Sequence, residues 1–127
     1  MALPMQSLMD TARVFLRTAR VELQEGLDSN NWVKIRDGSE KAWSAVVQAT
    51  DHAMQVRGRT PLPDRDAHRD RLDFLDFIGR HDLAQQYAYL AERLHGNLFY
   101  GGVTLPTDLI RRLFDEVGGF IDQTAAM

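Results

Sequence analysis

The sequence predicts an all-α protein, an antiparallel up-and-down bundle of about five helices forming one domain over residues 1–127. Three observations carry that expectation. Apolar residues return every three to four positions in five separate stretches, which is the period of a helix with one buried face. No stretch has the strict alternation of a half-buried strand. Short runs of Gly, Pro, Asp, Asn and Ser separate the stretches, so successive helices must double back on one another.

The first helix is expected from about Gln6 to Glu25, with Met5, Leu8, Ala12, Phe15, Leu16, Ala19 and Leu23 on one face and Gly26 ending it. Arg13, Arg17, Arg20 and Gln24 trace its other, solvated face. Asp28 to Asn31 supply turn and capping side chains for a second helix that runs to about Arg57. Its stripe of Trp32, Ile35, Ala42, Val46, Ala49, Ala53 and Val56 is widened by Trp43, Val47 and Met54, so it should touch at least two neighbours. Gly38 is its weak point, costing about 1 kcal/mol against Ala in a helix interior. Gly58, Pro61 and Pro63 break the pattern, and Arg57 to Arg71 reads as an exposed loop of alternating charge. A short third helix follows, with Leu72, Phe74, Leu75, Phe77 and Ile78 on its buried side and Gly79 closing it. Asp82 is placed to cap a fourth helix, whose stripe of Leu83, Tyr87, Leu90, Ala91, Leu94 and Leu98 ends at Gly101 and Gly102. Thr104, Pro106, Thr107 and Asp108 announce a fifth, with Leu109, Ile110, Leu113, Val117, Phe120 and Ile121 facing inward. The second and fourth helices have the widest stripes and should form the centre, and Trp43 on the second is a candidate for full burial.

Composition narrows the chemistry. With 44% hydrophobic and 26% charged residues the chain has ordinary globular values, and no run approaches a membrane span. The absence of cysteine rules out disulfides, thiolate nucleophiles and Cys-ligated zinc, and suits the cytoplasm, where the protein is expected. The opening MALPMQSLMDTARVF has no basic stretch followed by an apolar run. A formal net charge of -3 gives no general attraction to nucleic acid, so that partner is only weakly supported, and no membrane partner is expected.

Ser7, Ser29, Ser39 and Ser44 lie in no Gly-x-Ser-x-Gly elbow, and no phosphate-binding glycine loop appears. Glu92 and His95 have the Glu-x-x-His spacing of di-iron bundles, but His52, His68 and His81 have no such partner, so neither a metal nor another cofactor is expected. The acidic pairs Asp64 and Asp66, and Asp73 and Asp76, read as solvated surface. In the Arg57 to Arg71 segment, acidic residues largely cancel the arginines around His68, and no aromatic side chain offers a stacking platform. At the end of the fourth helix, His95, Asn97 and Tyr100 gather polar side chains, with His95 expected to be half-buried and satisfied by a backbone group or Asn97.

Two segments together suggest a family: Glu40-Lys41-Ala42-Trp43-Ser44-Ala45, and Leu94-His95-Gly96-Asn97-Leu98-Phe99-Tyr100. From about Asn30 to Gly102 the chain resembles the PaREP1-like branch of the HEPN superfamily. The resemblance implies an antiparallel bundle that commonly dimerises, in a superfamily with many metal-independent ribonucleases and partners of nucleotidyltransferases. Its nuclease members carry an Arg, usually followed by a polar residue, with a His after four to six intervening positions. Here no Arg precedes any of the four histidines at that separation, and Gly96-Asn97 stands where Arg-Asn would be expected.

The resulting expectation is a non-catalytic, HEPN-like binding or interaction protein, a homodimer with a nucleotidyltransferase-type protein as a candidate partner. Its binding surface would combine Lys41, His52, His95, Asn97 and Tyr100, provided the second and fourth helices pack side by side. The alternative is a divergent metal-independent ribonuclease whose site is assembled across a dimer from Arg80, His81, Arg93 and His95. Dimerisation would cover apolar surplus at Phe99, Tyr100, Leu105, Phe114 and Phe120.

Overall fold

A computed structural model describes residues 7–60 and 67–127. The expectations for Met5, Gln6, Pro61, Pro63, Asp64, Arg65 and Asp66 lie outside these residues. The described residues form an all-α helical bundle: α1 (Leu8–Asp28), α2 (Trp32–Val56), α3 (Ala67–Phe77), α4 (His81–Leu90), which continues directly into a π-helical segment (Ala91–Tyr100), and α5 (Thr107–Ala125). No helix among them is long and apolar enough to cross a membrane.

Local chemistry accounts for the helix boundaries. The Ser7 hydroxyl accepts from the Asp10 N–H at the start of α1, and the Asn31 side chain accepts from the Lys34 N–H at the start of α2. Helix α1 runs two residues past Gly26. The glycine is there for packing and does not end the helix: a Cβ on it would lie 2.7 Å from Ile35 Cγ1. Gly38 answers to the same demand from the other side, since its Cβ would lie 3.1 Å from the Ala19 carbonyl. The α1–α2 hairpin thus closes through two glycines, and the propensity cost of each is offset by backbone approach.

Helix α2 is the hub. It packs on α1, α3, α5 and the π-helical segment, and the stripe read from the sequence is buried on several sides, with Ile35, Ala42, Ala45, Val46, Ala49 and Met54 fully inaccessible and Trp43 3% exposed; Val56, at the end of the helix, departs from it at 65% exposed. Helix α5 runs against α1. Arg13 pairs with Asp122, Arg20 with Asp115, and Arg111 donates to Gln24, a single register along the seam. These pairs are exposed and contribute little energy, but they align the helices.

Further expectations are corrected. Helix α3 begins at Ala67, so His68 and Arg71 are helical and not part of a solvated loop, and Arg71 is buried. Phe77 is 84% exposed at the last turn of α3, because Phe74 and Leu75 already fill the inward face. Asp82 does not cap α4; the capping position is Arg80, whose guanidinium grips the Asp82 carboxylate with two bonds of 3.0 Å and holds its pKa below the usual carboxylate value. The apolar surplus expected to drive dimerisation is also smaller than the sequence implies. Leu105, Phe114 and Phe120 are buried within the chain, while Tyr100 is 73% exposed.

Candidate functional site

Two polar clusters flank Trp43, one sealed and one open. The sealed cluster joins α2, α3 and α4. Arg71 Nε and Nη2 donate to the two oxygens of Asp51 at 2.7 and 3.2 Å, and Nη1 donates to the Tyr87 hydroxyl at 3.2 Å. The Tyr87 oxygen lies 2.7 Å from His68 Nδ1, which is also 3.3 Å from Arg71 Nη1. A guanidinium can only donate, so His68 Nδ1 faces it with its lone pair. The Tyr87 hydroxyl, receiving a bond from Arg71, therefore gives its proton to His68. Burial pushes the Tyr87 pKa up to about 12 and keeps that hydroxyl protonated, against the pull of Arg71.

The consequence for His68 is chemical. Desolvation, then the Arg71 charge and that of nearby His95, lower its pKa, so it stands neutral with its proton on Nε2. Its lone pair is committed inward. Such an imidazole offers an N–H and is a poor base. Arg71 is committed too: burial works against its charge, but Asp51 and Tyr87 outweigh it and raise its pKa. An Arg and a His do meet here, yet this Arg has no fork left for a phosphate.

The open cluster lies where α2 meets the π-helical segment. His95 Nδ1 is 2.8 Å from Glu40 Oε2, so the carboxylate accepts from Nδ1 and the remaining nitrogen, Nε2, carries the lone pair when the ring is neutral. Both groups are about one-third exposed. The Tyr100 ring packs edge-on against His95, with centroids 4.7 Å apart, and Phe99 lies 5.0 Å from Tyr100.

The π winding creates this contact. In an α-helix five residues advance about 500°, leaving Tyr100 about 140° around from His95. With i→i+5 bonding each turn takes up more residues, and residues five apart fall on the same face. That bonding extends to Gly101, whose N–H donates to the Gly96 carbonyl at 2.7 Å. Gly101 is required for the tight end, because a Cβ there would lie 2.9 Å from the same oxygen.

Arg36 completes the corner. It stands one turn before Glu40 on α2, and its guanidinium lies across Gly102, which has φ +61. The Cβ position of Gly102 would be 3.3 Å from Nη2, 3.6 Å from Cζ and 4.0 Å from Nη1. Arg36 thus reaches the chain two residues after Tyr100, Tyr100 packs on His95, and His95 bonds Glu40, one turn after Arg36.

The residues expected from sequence fall as follows. His95 and Tyr100 come together as anticipated, although the His95 partner is Glu40, neither a backbone group nor Asn97. Asn97 is half-buried beside them, and its carbonyl accepts from the Val103 N–H. Lys41 is turned away, paired with Glu22 of α1. His52 is twelve residues further along α2 than Glu40, roughly 18 Å at helical rise. It lines a separate cavity of about 150 Å³ with Arg57, Thr124 and Met127.

The four residues of the alternative site do not meet within one chain. Arg80 is held by Asp82 and Gln123, and His81 by Asp76, at the start of α4. His95 lies fourteen residues on, and Arg93 stacks over Tyr89. Sequence reading missed Arg36 and the Asp51–Arg71–Tyr87–His68 network. The i, i+4, i+7 spacing of Arg36, Glu40 and Trp43 was available as a signal for a shared face. Nothing local marks Asp51 as the partner of Arg71. No histidine, cysteine, aspartate and glutamate grouping suited to a metal occurs among the described residues. No protein-family model, curated protein or solved structure matches the chain.

Proposed function

We propose that the protein is a non-catalytic, HEPN-like binding protein of the cytoplasm whose recognition surface is the corner formed by Arg36, Glu40, His95 and Tyr100. One observation carries the reading. His68 and Arg71, the His–Arg pair within hydrogen-bond distance among the described residues, are consumed by internal bonds, whereas the corner leaves a guanidinium, an imidazole Nε2 and an exposed aromatic ring without hydrogen-bond partners among the described residues. Sealed polar networks give rigidity, and open ones give recognition. A fragment screen read by backbone-amide NMR tests this. Hits should gather at Tyr100, Gly102 and Val103. Hits confined to other surfaces, such as the cavity of about 210 Å³ lined by Arg20, Arg111 and Phe114, would overturn it.

A second reading, a divergent metal-independent ribonuclease, is favoured by one observation: Arg36 stands one helical turn from Glu40, the carboxylate that backs His95. A cation for the phosphate and a base for proton transfer are the minimum such chemistry needs. The residues differ from those expected, with Arg36 and Glu40 replacing Arg80, His81 and Arg93. Incubation with single-stranded RNA and transfer RNA, with and without divalent metal, decides. Intact RNA supports the binding reading. Cleavage that disappears in both His95→Ala and Arg36→Ala preparations would replace it, and equal cleavage by parent and variants identifies a contaminating nuclease.

A homodimer is proposed alongside. Its support is Val14 and Val21, seven residues apart on the outer face of α1 and 39% and 57% exposed.

A further inference from the structure

We propose that the Arg36 corner takes a single-charged oxyanion carried on a planar ring, of which an aromatic carboxylate is the simplest form. This rests on the corner being a binding surface, and it adds the class of ligand.

The cation is prepared for an external partner. Arg13, Arg20, Arg59, Arg71 and Arg80 each have a carboxylate within 3.2 Å. Arg36 has none among the described residues and is half-buried all the same. Backbone contact positions it instead. The Cβ position of Gly102 is 3.3, 3.6 and 4.0 Å from Nη2, Cζ and Nη1, a spread smaller than an end-on approach through Nη2 would give, so the plane of the guanidinium and not its donor edge faces this position. The N–H fork is left for two parallel bonds to an oxyanion. Any residue other than glycine at 102 would meet both the positive φ and the guanidinium.

Charge sets the valence. Glu40 lies one helical turn away and holds His95. Arg36 matches one negative charge on a ligand; a second would face the Glu40 carboxylate unmatched.

The ring requirement comes from the rim. Tyr100 is exposed but held edge-on by both His95 and Phe99, so its orientation is fixed before anything binds. Val33, one turn before Arg36, and Val103, next to Gly102, are 65% and 45% exposed. One cation bordered by a fixed aromatic and two valines suits a flat apolar body with a single charged end. A bare inorganic anion would leave the apolar rim unused.

The test is a titration of the full chain with benzoate, neutral benzamide and doubly charged phenyl phosphate, read by amide NMR at pH 7.5. Benzoate should shift Tyr100, Gly102 and Val103 to saturation, and benzamide should bind about tenfold or more weakly. Phenyl phosphate should be no tighter than benzoate. Arg36→Gln should lose benzoate binding while keeping its circular dichroism, and Arg111→Gln should retain it. Benzoate that leaves these three residues unmoved, or binds Arg36→Gln as well as the parent, overturns the inference. Equal binding of benzamide and benzoate at the corner, or tighter binding of phenyl phosphate, also overturns it yet leaves the corner a binding surface. If the fragment screen itself yields no hits there, the broader reading fails with it.

Discussion

The sealed and open clusters share the Trp43 indole, with His68 5.6 Å from it and His95 6.1 Å, and each ties a histidine to an acid, through Arg71 to Asp51 in the first and directly to Glu40 in the second. They differ in what remains after the internal bonds are made. In the sealed cluster Arg71 is buried and bonded on three nitrogens, and the His68 lone pair is turned inward. In the open one the donors of Arg36 and Nε2 of His95 have no partner among the described residues. Similar residue types therefore end differently: the same Arg, His, Tyr and acid are structural when their bonds close on one another and keep donors and acceptors open when they do not.

The largest expected effects come from breaking the sealed cluster. Arg71→Ala strands the Asp51 carboxylate and the Tyr87 hydroxyl and should cost about 3–5 kcal/mol, read by urea unfolding. Trp43→Ala, which removes the ring both clusters lean on, should cost about 3–5 kcal/mol for a side chain so fully buried. Tyr87→Phe keeps the ring and removes only the bridging hydroxyl, so about 1–3 kcal/mol is expected. If Arg71→Ala and Tyr87→Phe both come out near zero, the network is not sealed and the contrast collapses.

A smaller effect has a defined pH dependence. The folded pKa of His68 lies below 6.5, so the unfolded chain binds a proton that the native state refuses. The stability linked to neutral His68 is present above pH 6.5 and is lost as pH falls through 6.5 toward the folded value. In His68→Gln this component is absent. The stability gap between parent and variant should accordingly narrow between about pH 7.5 and 5.5, and a gap that widens on acidification would place the proton on His68 in the native state.

The smallest changes belong to the open corner. Arg36→Gln, His95→Ala and Tyr100→Ala remove exposed or half-exposed groups, and each should alter stability by no more than about 1 kcal/mol. A loss near that of Arg71→Ala would mean that the corner holds the fold together and is not a surface kept free for binding. Light scattering at tens of micromolar protein should give a dimer mass, and Val21→Glu should reduce it. A monomer mass for the parent would remove the proposed α1 interface and leave the corner unaffected.

The helices were legible because their signals are local. Period, Asn31 capping, and the breaks around Asn30, Gly79 and Gly102 act within a turn or two of the chain, and the broad α2 stripe already implied several neighbours. Gly26 misled because a glycine that ends a helix and one that admits a neighbouring helix look alike until Ile35 is in place. Half of the site was legible on the same terms: His95 and Tyr100 were singled out from the polar end of one helix. The rest needed the fold. Glu40 and His95 are 55 positions apart, and Asp51 and Arg71 are 20 apart. Sequence alone determined which side chains were on hand and which helices carried them, since a helix is specified by residues three and four apart. Only tertiary structure decided that Arg71 would be spent and Arg36 spared, which nitrogen of each histidine faces inward, and where π winding brings Tyr100 over His95. Those outcomes depend on which partner arrives from elsewhere in the chain.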